Sequence, residues 1–173
     1  MDGLTLREPL IAYPGGIRQT IVRMKSAVAF AVVLPDVVTL TRDITMDCRP
    51  NDAKAYIERV YMWNRKMLKY FPDPALFESP TQRLVSPEVV IAEFRRRGFY
   101  TGNCATLAML EACMLGVLAV PARFVAIATP RAKGSYNHVL TEGFNGATWT
   151  SMDFLTRYPA PESTTQPPLA WRV

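Results

Sequence analysis

Cys104 occupies a position where a thiol would be chemically active. Asn103 precedes a long apolar run and predicts the N-cap of a helix that begins at Cys104. The first turn of a helix offers unpaired backbone N–H groups and the positive end of the helix dipole, and both favour thiolate over thiol. Because the thiolate is the reactive form, Cys104 is a candidate nucleophile, and its own backbone N–H could face a developing oxyanion.

A nucleophilic cysteine needs a group that accepts and returns its proton, usually a histidine. The chain has one histidine, His138, which lies 34 positions after Cys104 and begins a predicted strand. Asp153 ends the next predicted strand, 15 positions after His138. Because the ends of two antiparallel neighbouring strands lie side by side, the spacing predicts that Asp153 orients His138 opposite the helix end that carries Cys104.

The cysteines do not predict a disulfide framework or a metal site. Cys104 and Cys113 fall on one predicted helix, about 13 Å apart at 1.5 Å per residue, whereas a disulfide tolerates about 7 Å between Cα atoms. Three cysteines without CxxC spacing and a single histidine do not form a zinc-binding pattern. We therefore expect no metal and no cofactor, and we interpret Cys48 and Cys113 as structural residues.

Composition indicates a single domain of 173 residues with a sizeable apolar core. The formal net charge is +5, and the tightest basic run is Arg95 to Arg97. No aromatic residues interleave with that run, so nucleic acid is not an expected partner. The apolar stretches Ala27 to Leu34 and Ala112 to Val120 are shorter than the roughly 18 residues that span a bilayer. We expect a cytoplasmic protein without a membrane segment.

Helices are predicted for most of the first hundred residues, after an irregular segment over residues 1–15. Apolar residues recur at helical spacing from Ile17 to Val32, and Pro35 is expected to end that helix. The run from Val37 to Thr45 fits either a short helix or a strand. Asn51 or Asp52 predicts the N-cap of the next helix, which should end at the Pro-containing stretch of residues 71–74.

A further helix and a small sheet are predicted after an ordered loop over Pro72 to Ser86. Ser86, Pro87 and an acid in the first turn predict a helix that ends at Gly98. The helix that starts at Cys104 is apolar on every side except at Glu111, which is typical of the centre of a domain. Glu111 shares a helix face with Cys104 and either lines the cleft or, as we expect, pairs with an arginine such as Arg123.

The hydrophobic period changes to that of strands after Pro121. Strands are predicted over Ala122 to Thr129, Tyr136 to Glu142 and Ala147 to Met152, with a turn at residues 143–146. Helices followed by a small antiparallel sheet indicate an α+β fold, with the central buried helix packed on the sheet.

These motifs together resemble the transglutaminase-like superfamily of papain-fold thiol enzymes. The resemblance rests on Gly102-Asn103-Cys104, on "VPARFVAIA" and on "YNHVLTEGFNGATWTSMD", which carry the cysteine, arginine, histidine, tryptophan and aspartate elements of that family. The upstream segment "MWNRKMLKYFPDPALFESP" is similar to phage and prophage members. The resemblance covers roughly Asp52 to Asp153 and extends weakly to "IRQTIVRM" near the N-terminus.

The resemblance implies a papain-like core with Cys104 as nucleophile, His138 as general base and acid, and Asp153 as orienting acid. Trp149 would pack beneath the histidine and aspartate. The oxyanion and cleft candidates are Asn103, Trp63, Tyr70 and Trp149, and the choice between Trp63 and Tyr70 as second oxyanion donor stays open. The chain would then consist of an N-terminal helical extension (1–50), a catalytic core (51–158) and a Pro-rich tail (159–173).

Members of the family usually have an acid before the cysteine and often another after it, where this chain has Asn103 and Ala105. Two functions therefore remain open. The first is acyl transfer on amide bonds of a protein or peptide substrate, by hydrolysis or by transfer to an amine. The second is a non-enzymatic phage-type structural or assembly role, in the host cytoplasm or in a virion, with the tail docking on a partner through Trp171.

Overall fold

The computed structural model describes residues 5–9, 15–70, 81–128, 136, 138–153 and 169–173, and for 5–9, 15–16 and 81–83 the backbone alone. These residues form a mixed helix and sheet structure, as the α+β prediction expected. The helices are α1 (Gly15–Ala31), α2 (Pro35–Thr45), α3 (Ala53–Met67), α4 (Pro87–Arg97) and α5 (Cys104–Val117). The strands are β1 (Thr5–Pro9), β2 (Leu68–Tyr70), β3 (Thr81–Val85), β4 (Tyr100–Gly102), β5 (Ala122–Ile127), β6 (His138–Phe144), β7 (Trp149–Ser151) and β8 (Leu169–Arg172).

Helix α5 is the centre of the molecule. Every residue from Ala105 to Leu115 is buried, and α5 contacts α1, α2, α3, α4 and β6. A helix that is apolar on all sides gains hydrophobic stabilisation only when each side is covered, so the surrounding helices and the sheet must enclose it. The structure confirms the predicted central buried helix.

The strands form three sheets in the described part of the chain. Strands β7, β6, β5 and β8 form an antiparallel sheet in that order, which packs on α5 through β6. The hydroxyl of Thr141 in β6 donates to the carbonyl of Ala108 in α5 at 2.8 Å, which fixes the sheet to the helix. Strands β1 and β3 pair antiparallel, and β2 and β4 pair parallel.

Several predicted helix boundaries are confirmed by their caps. Asp52 accepts a hydrogen bond from Ala55 N–H at the start of α3, and Pro87 begins α4. Gly98 ends α4 with a φ of 73°, a left-handed conformation that glycine adopts without strain.

The structure resolves some expectations for the helical half and corrects others. Helix α1 ends at Ala31, before Pro35, as expected. Pro35 also occupies the first turn of α2, where its missing N–H costs nothing, so the run from Val37 to Thr45 is the helix of the two predicted alternatives. Helix α3 ends at Met67, and the three residues of β2 follow it. Residues 5–9 form a strand inside the predicted irregular segment, and residues 81–85 form its partner inside the predicted loop, whereas residues 71–80 lie outside the description.

The end of the chain belongs to the main sheet. Strand β8 pairs antiparallel with β5, with Trp171 opposite Phe124, and Trp171 packs against the core of the molecule. Trp171 is partly buried in this contact, and its predicted role as an anchor for a partner stays a prediction. Residues 159–168 of the predicted tail lie outside the described residues.

Candidate active site

Asn103 fixes the start of α5 and thereby the position of Cys104. Its side-chain oxygen accepts hydrogen bonds from the backbone N–H of Thr106 at 2.9 Å and from the Thr106 hydroxyl at 3.0 Å. Gly102 is required beside this cap, because a Cβ at that position would lie 2.6 Å from Cγ2 of Thr106. The first helical hydrogen bond runs from Leu107 N–H to the Asn103 carbonyl, so the N–H of Cys104 lies in the unpaired first turn.

The Cys104 sulfur lies between α5 and β6. Cys104 is partly exposed, and its sulfur forms a hydrogen bond with the side chain of His138. The backbone N–H groups of Val139 and Ala105 also direct hydrogen bonds at the sulfur. Donors from a side chain and from two elements therefore converge on one sulfur atom, which is an environment that favours its anionic form.

His138 is the first residue of β6 and lies opposite Ile127 of β5. Its Nε2 is 2.8 Å from Oδ2 of Asp153, and the two side chains are only 8% and 4% exposed. Because Nε2 is engaged by Asp153, Nδ1 is the ring nitrogen that remains for the Cys104 sulfur. The structure thus brings together the three residues that the sequence selected, in the order Cys104, His138, Asp153.

The protonation of this cluster follows from its contacts. Burial alone would lower the pKa of His138, but the hydrogen bonds to Asp153 and Cys104, together with their charges, outweigh it and raise the pKa to about 10. Burial alone would raise the pKa of Cys104, but the hydrogen bond and charge of His138 and the two backbone donors lower it. The contacts therefore shift the pair toward a thiolate beside an imidazolium.

Strand β7 delivers Asp153 to this position. The strand is only three residues long, and it pairs with β6 from Trp149 to Ser151. The next residue, Met152, is fully buried and donates its N–H to the Thr141 carbonyl at 2.9 Å. This bond continues the pairing with β6 beyond β7 and aligns Asp153 with the start of β6.

The structure separates the two aromatic residues that were left open as oxyanion donors. Tyr70 ends β2 and lies opposite Gly102, two residues before Cys104, with 43% of its surface exposed. Trp63 packs edge-on against Phe94, with ring centroids 4.8 Å apart, and lines a groove of about 810 Å³ that none of the three clustered residues lines. Trp63 also stacks on Tyr100 at the far end of β4, with centroids 6.1 Å apart, whereas Tyr70 lies beside Gly102 at the end of β4 nearer Cys104.

Trp149 does not lie where the resemblance implied. Its ring contacts Phe144, at 5.3 Å between centroids, and the guanidinium of Arg123 lies 4.3 Å from its centre. Arg123 also binds Glu142 at 2.6 Å. The expectation that Trp149 packs beneath His138 and Asp153 is not met. Trp149 lies opposite Phe144, at the end of β6 that is farther from His138.

Glu111 is a buried acid whose partner was predicted wrongly. Arg123 pairs with Glu142 instead, and Glu111 is 1% exposed, with no hydrogen-bond partner for its Oε1 among the described residues. Burial first, and the charge of Asp153 second, raise the pKa of Glu111 well above its usual range. The sequence signal for this residue is the single acid in a helix that is otherwise apolar on every side.

Within the described ranges, no group of three or more histidine, cysteine or acidic side chains could hold a metal ion. Cys48, Cys104 and Cys113 are all free thiols. No helix among the described residues is both long and apolar enough to cross a bilayer.

Comparison with solved structures finds a fold shared with part of a protein from Parabacteroides distasonis described as a "putative protease". The match has a TM-score of 0.57 at 11% sequence identity, and it covers 82% of this chain and 27% of that protein. This chain therefore corresponds to a minor part of the neighbour, and the likeness concerns the fold. No protein-family model matches the chain, and no curated protein matches it.

Proposed function

We propose that the protein is a thiol enzyme that performs acyl transfer on amide bonds, with Cys104 as nucleophile, His138 as general base and acid, and Asp153 as orienting acid. The observation that carries this proposal is the environment of His138. One ring nitrogen is held by Asp153 at 2.8 Å and the other faces the Cys104 sulfur, in a site whose contacts favour the thiolate.

The proposed reaction has two stages. The Cys104 thiolate attacks the amide carbonyl carbon, a C–S bond forms, and negative charge develops on the carbonyl oxygen. The C–N bond then breaks as imidazolium His138 gives its proton to the leaving amine, which leaves a thioester. Water or a second amine attacks the thioester while His138 accepts the proton, so the products are an acid or a new amide and the free thiolate.

Two groups would stabilise the oxyanion in this reaction. The backbone N–H of Cys104 lies in the unpaired first turn of α5, and the helix dipole adds a positive potential there. Tyr70 is the side chain that we propose as second donor, because β2 pairs with β4 directly before Cys104. The phenol O–H of a tyrosine can donate a hydrogen bond to the oxyanion, while the Cys104 thiolate remains the attacking group.

We further propose that the domain is a papain-like, transglutaminase-like core. Its support is a buried helix with the cysteine at its first turn, packed on an antiparallel sheet in which β6, one of the two inner strands, begins with the histidine. The fold shared with a protein described as a "putative protease" is compatible with this assignment. A cytoplasmic or virion-associated setting, with a protein or peptide substrate, is the corresponding biological expectation.

The first experiment is alkylation of the folded protein by iodoacetamide from pH 4 to 9, with each cysteine quantified by mass spectrometry. Cys48 and Cys113 are internal controls, since burial raises the pKa of Cys48 and raises that of Cys113 to about 12. We expect Cys104 alone to react below about pH 7, and His138→Ala to move its profile toward that of an ordinary thiol near pH 8.5.

The second experiment distinguishes hydrolysis of the thioester from its transfer to an amine. Peptide amides with glutamine side chains are incubated with and without a primary amine, and ammonia, cleavage products and amine conjugates are measured. Wild type should form product, and Cys104→Ser and His138→Ala should not. A Cys104 that titrates as a free thiol would remove the basis for catalysis and leave the non-enzymatic role on the same fold.

A further inference from the structure

Phe99 carries two cations on its ring. The ammonium of Lys69 lies 3.5 Å from the ring centre, and the guanidinium carbon of Arg97 lies 4.3 Å from it. Since both distances end at the same point, the two cations are no more than about 8 Å apart, closer than the Debye length at 0.1 M salt. Two like charges held this close attract an anion, because an anion relieves their repulsion.

This cluster of Lys69, Arg97 and Phe99 lies beside the strand that leads to the nucleophile. Lys69 is opposite Thr101 in the parallel pair of β2 and β4, and Cys104 follows three residues after Thr101. With strands about 4.8 Å apart and at most about 3.6 Å per residue, the Cα of Lys69 lies within about 16 Å of the Cα of Cys104. Three to five residues of an extended peptide bridge that distance.

The cluster keeps an excess of positive charge. Arg97 binds Glu93 at 2.7 Å, and the same carboxylate accepts from the backbone N–H of Thr101 at 3.1 Å. Lys69 has no carboxylate partner among the residues that the structure describes, and it is exposed, as is the neighbouring Arg96. Among the described residues, the Glu93 carboxylate therefore serves both Arg97 and Thr101, and the cluster carries more positive than negative charge.

We propose that the cluster of Lys69, Arg97 and Phe99 is a specificity site for acidic peptide substrates, which binds an Asp or Glu side chain three to five residues from the reacting amide. The proposal rests on the proposed thiol chemistry of Cys104. The cation–aromatic contacts hold Lys69 in place beside Phe99, so less side-chain entropy is lost when the anion binds.

The test uses affinity labels in matched pairs. Iodoacetyl-Gly-Ala-Ala-Asp-Asp amide and its Asn-Asn counterpart differ only in charge, and Cys104 displaces iodide from either. A pair of peptidyl chloromethyl ketones with Asp-Asp or Asn-Asn places the acids on the other side of the reacting carbon. The measured quantity is the ratio of second-order labelling rates at Cys104, acidic over neutral, at pH 7.

At low salt we expect a ratio of about three to ten in at least one of the two series, as one or two exposed ion pairs would supply. In 0.5 M NaCl the ratio should approach one, since the charges are then screened. Lys69→Gln should lower the low-salt ratio at least twofold, and Lys69→Arg should retain it. Lys54→Gln is the matched control, because that exposed lysine lies about 20 Å away along α3.

Labelling by neutral iodoacetamide tests the proposed thiol chemistry of Cys104 separately from the proposed specificity for acidic peptides. If Cys104 reacts with it as an ordinary thiol, the proposed chemistry fails first. If Cys104 reacts as a poised thiolate but both peptide series give a ratio of one, or Lys69→Gln leaves the ratio unchanged, the acidic specificity is refuted alone. An unchanged ratio together with weaker binding of single-stranded DNA by Lys69→Gln would assign the cluster to nucleic acid instead and equally refute the proposal.

Discussion

Replacing Asp153 by asparagine tests the physical basis of the site most directly. The substitution keeps the size of the side chain and removes its charge from a hydrogen bond of 2.8 Å between two side chains that are less than a tenth exposed. Asparagine can still accept a hydrogen bond from His138, but it does not stabilise the imidazolium through charge. The protonated form of His138 is then less stable, and the pKa of His138 falls.

The magnitude follows from the strength of such bonds. A hydrogen bond to a charged group contributes about 1.5–3 kcal/mol, and one pKa unit corresponds to about 1.36 kcal/mol. We therefore expect the pKa of His138, raised to about 10 in the wild type, to fall by about one to two units in Asp153→Asn. The pair of thiolate and imidazolium loses the same stabilisation relative to the neutral thiol and neutral imidazole.

The assay is the alkylation rate of Cys104 by iodoacetamide at closely spaced pH values from 4 to 9. At a pH on the rising limb of the wild-type curve, Asp153→Asn should react about 10- to 100-fold more slowly, and the rates should converge at high pH. Circular dichroism checks that each variant is folded. Asp43→Asn is the control, since it removes an exposed carboxylate of α2 without changing the site.

A folded Asp153→Asn chain whose alkylation profile overlays that of the wild type would refute the reasoning. It would mean that the contact between His138 and Asp153 does not stabilise the charged imidazole. The backbone donors from Val139 and Ala105 would then be the main cause of the lowered pKa of Cys104.

Three further predictions concern the residues around the site. Because burial raises the pKa of Glu111 above 4.5 in the folded state, the folded chain keeps a proton that the unfolded chain has lost, and the free energy of unfolding falls as pH rises. Glu111→Gln should remove this loss. In urea denaturation, the stability of the variant relative to the wild type should therefore increase from pH 5 to pH 8. Asn103→Ala should cost about 1 kcal/mol, or a fall of about 2–4 °C in Tm, whereas Asn103→Asp should retain the cap. Gly102→Ala should cost about 1–3 kcal/mol and slow Cys104 alkylation, because its Cβ would overlap Thr106.

Each of these predictions has a control in the chain. Glu58→Gln removes an exposed acid of α3, and a pH trend equal to that of Glu111→Gln would contradict the role of burial. Gly116→Ala adds a Cβ 3.0 Å from one methyl of Val32, which can shift, so it should cost less than Gly102→Ala. An Asn103→Asp variant as unstable as Asn103→Ala would show that the cap is not what Asn103 contributes.

The helical half of the fold could be predicted where a local signal exists. Asp52, Pro87, Gly98 and Asn103 each act on the backbone within four residues, and the structure has helix ends at all of them. Helix α1 ends before Pro35, as predicted, but the sequence left open whether a helix or a strand follows. Leu34 is extended, as a residue before proline prefers, and a new helix starts at Pro35.

The short strands could not be predicted because their partners are distant in sequence. Strand β1 pairs with β3 across more than 70 residues, and β2 pairs with β4 across about 30. Segments of three to five residues have too few positions for a period to be recognised. The hairpin of β6 and β7 was predictable, since its strands adjoin a Gly- and Asn-containing turn.

The site residues also differ in whether their contacts are local or distant in sequence. The contact of His138 with Asp153 could be expected from the hairpin, because pairing of adjacent strands sets which residues meet. The positions of Trp149 and Glu111 could not, since each depends on a choice among several tertiary partners. Arg123 had both Glu111 and Glu142 as acidic candidates, and cross-strand pairing with Glu142 decided between them.

The site combines residues from two elements of different local stability, since Cys104 lies on α5 and Asp153 follows the edge strand β7. Helix α5 is enclosed on all sides, so its amides should exchange with deuterium only through global unfolding. Strand β7 lies at a sheet edge and has two partly exposed residues and one exposed residue. Fraying of β7 would withdraw Asp153 and leave Cys104 in place. Gentle heating should therefore abolish the reactivity of the thiolate before the helices melt, and this loss should reverse on cooling.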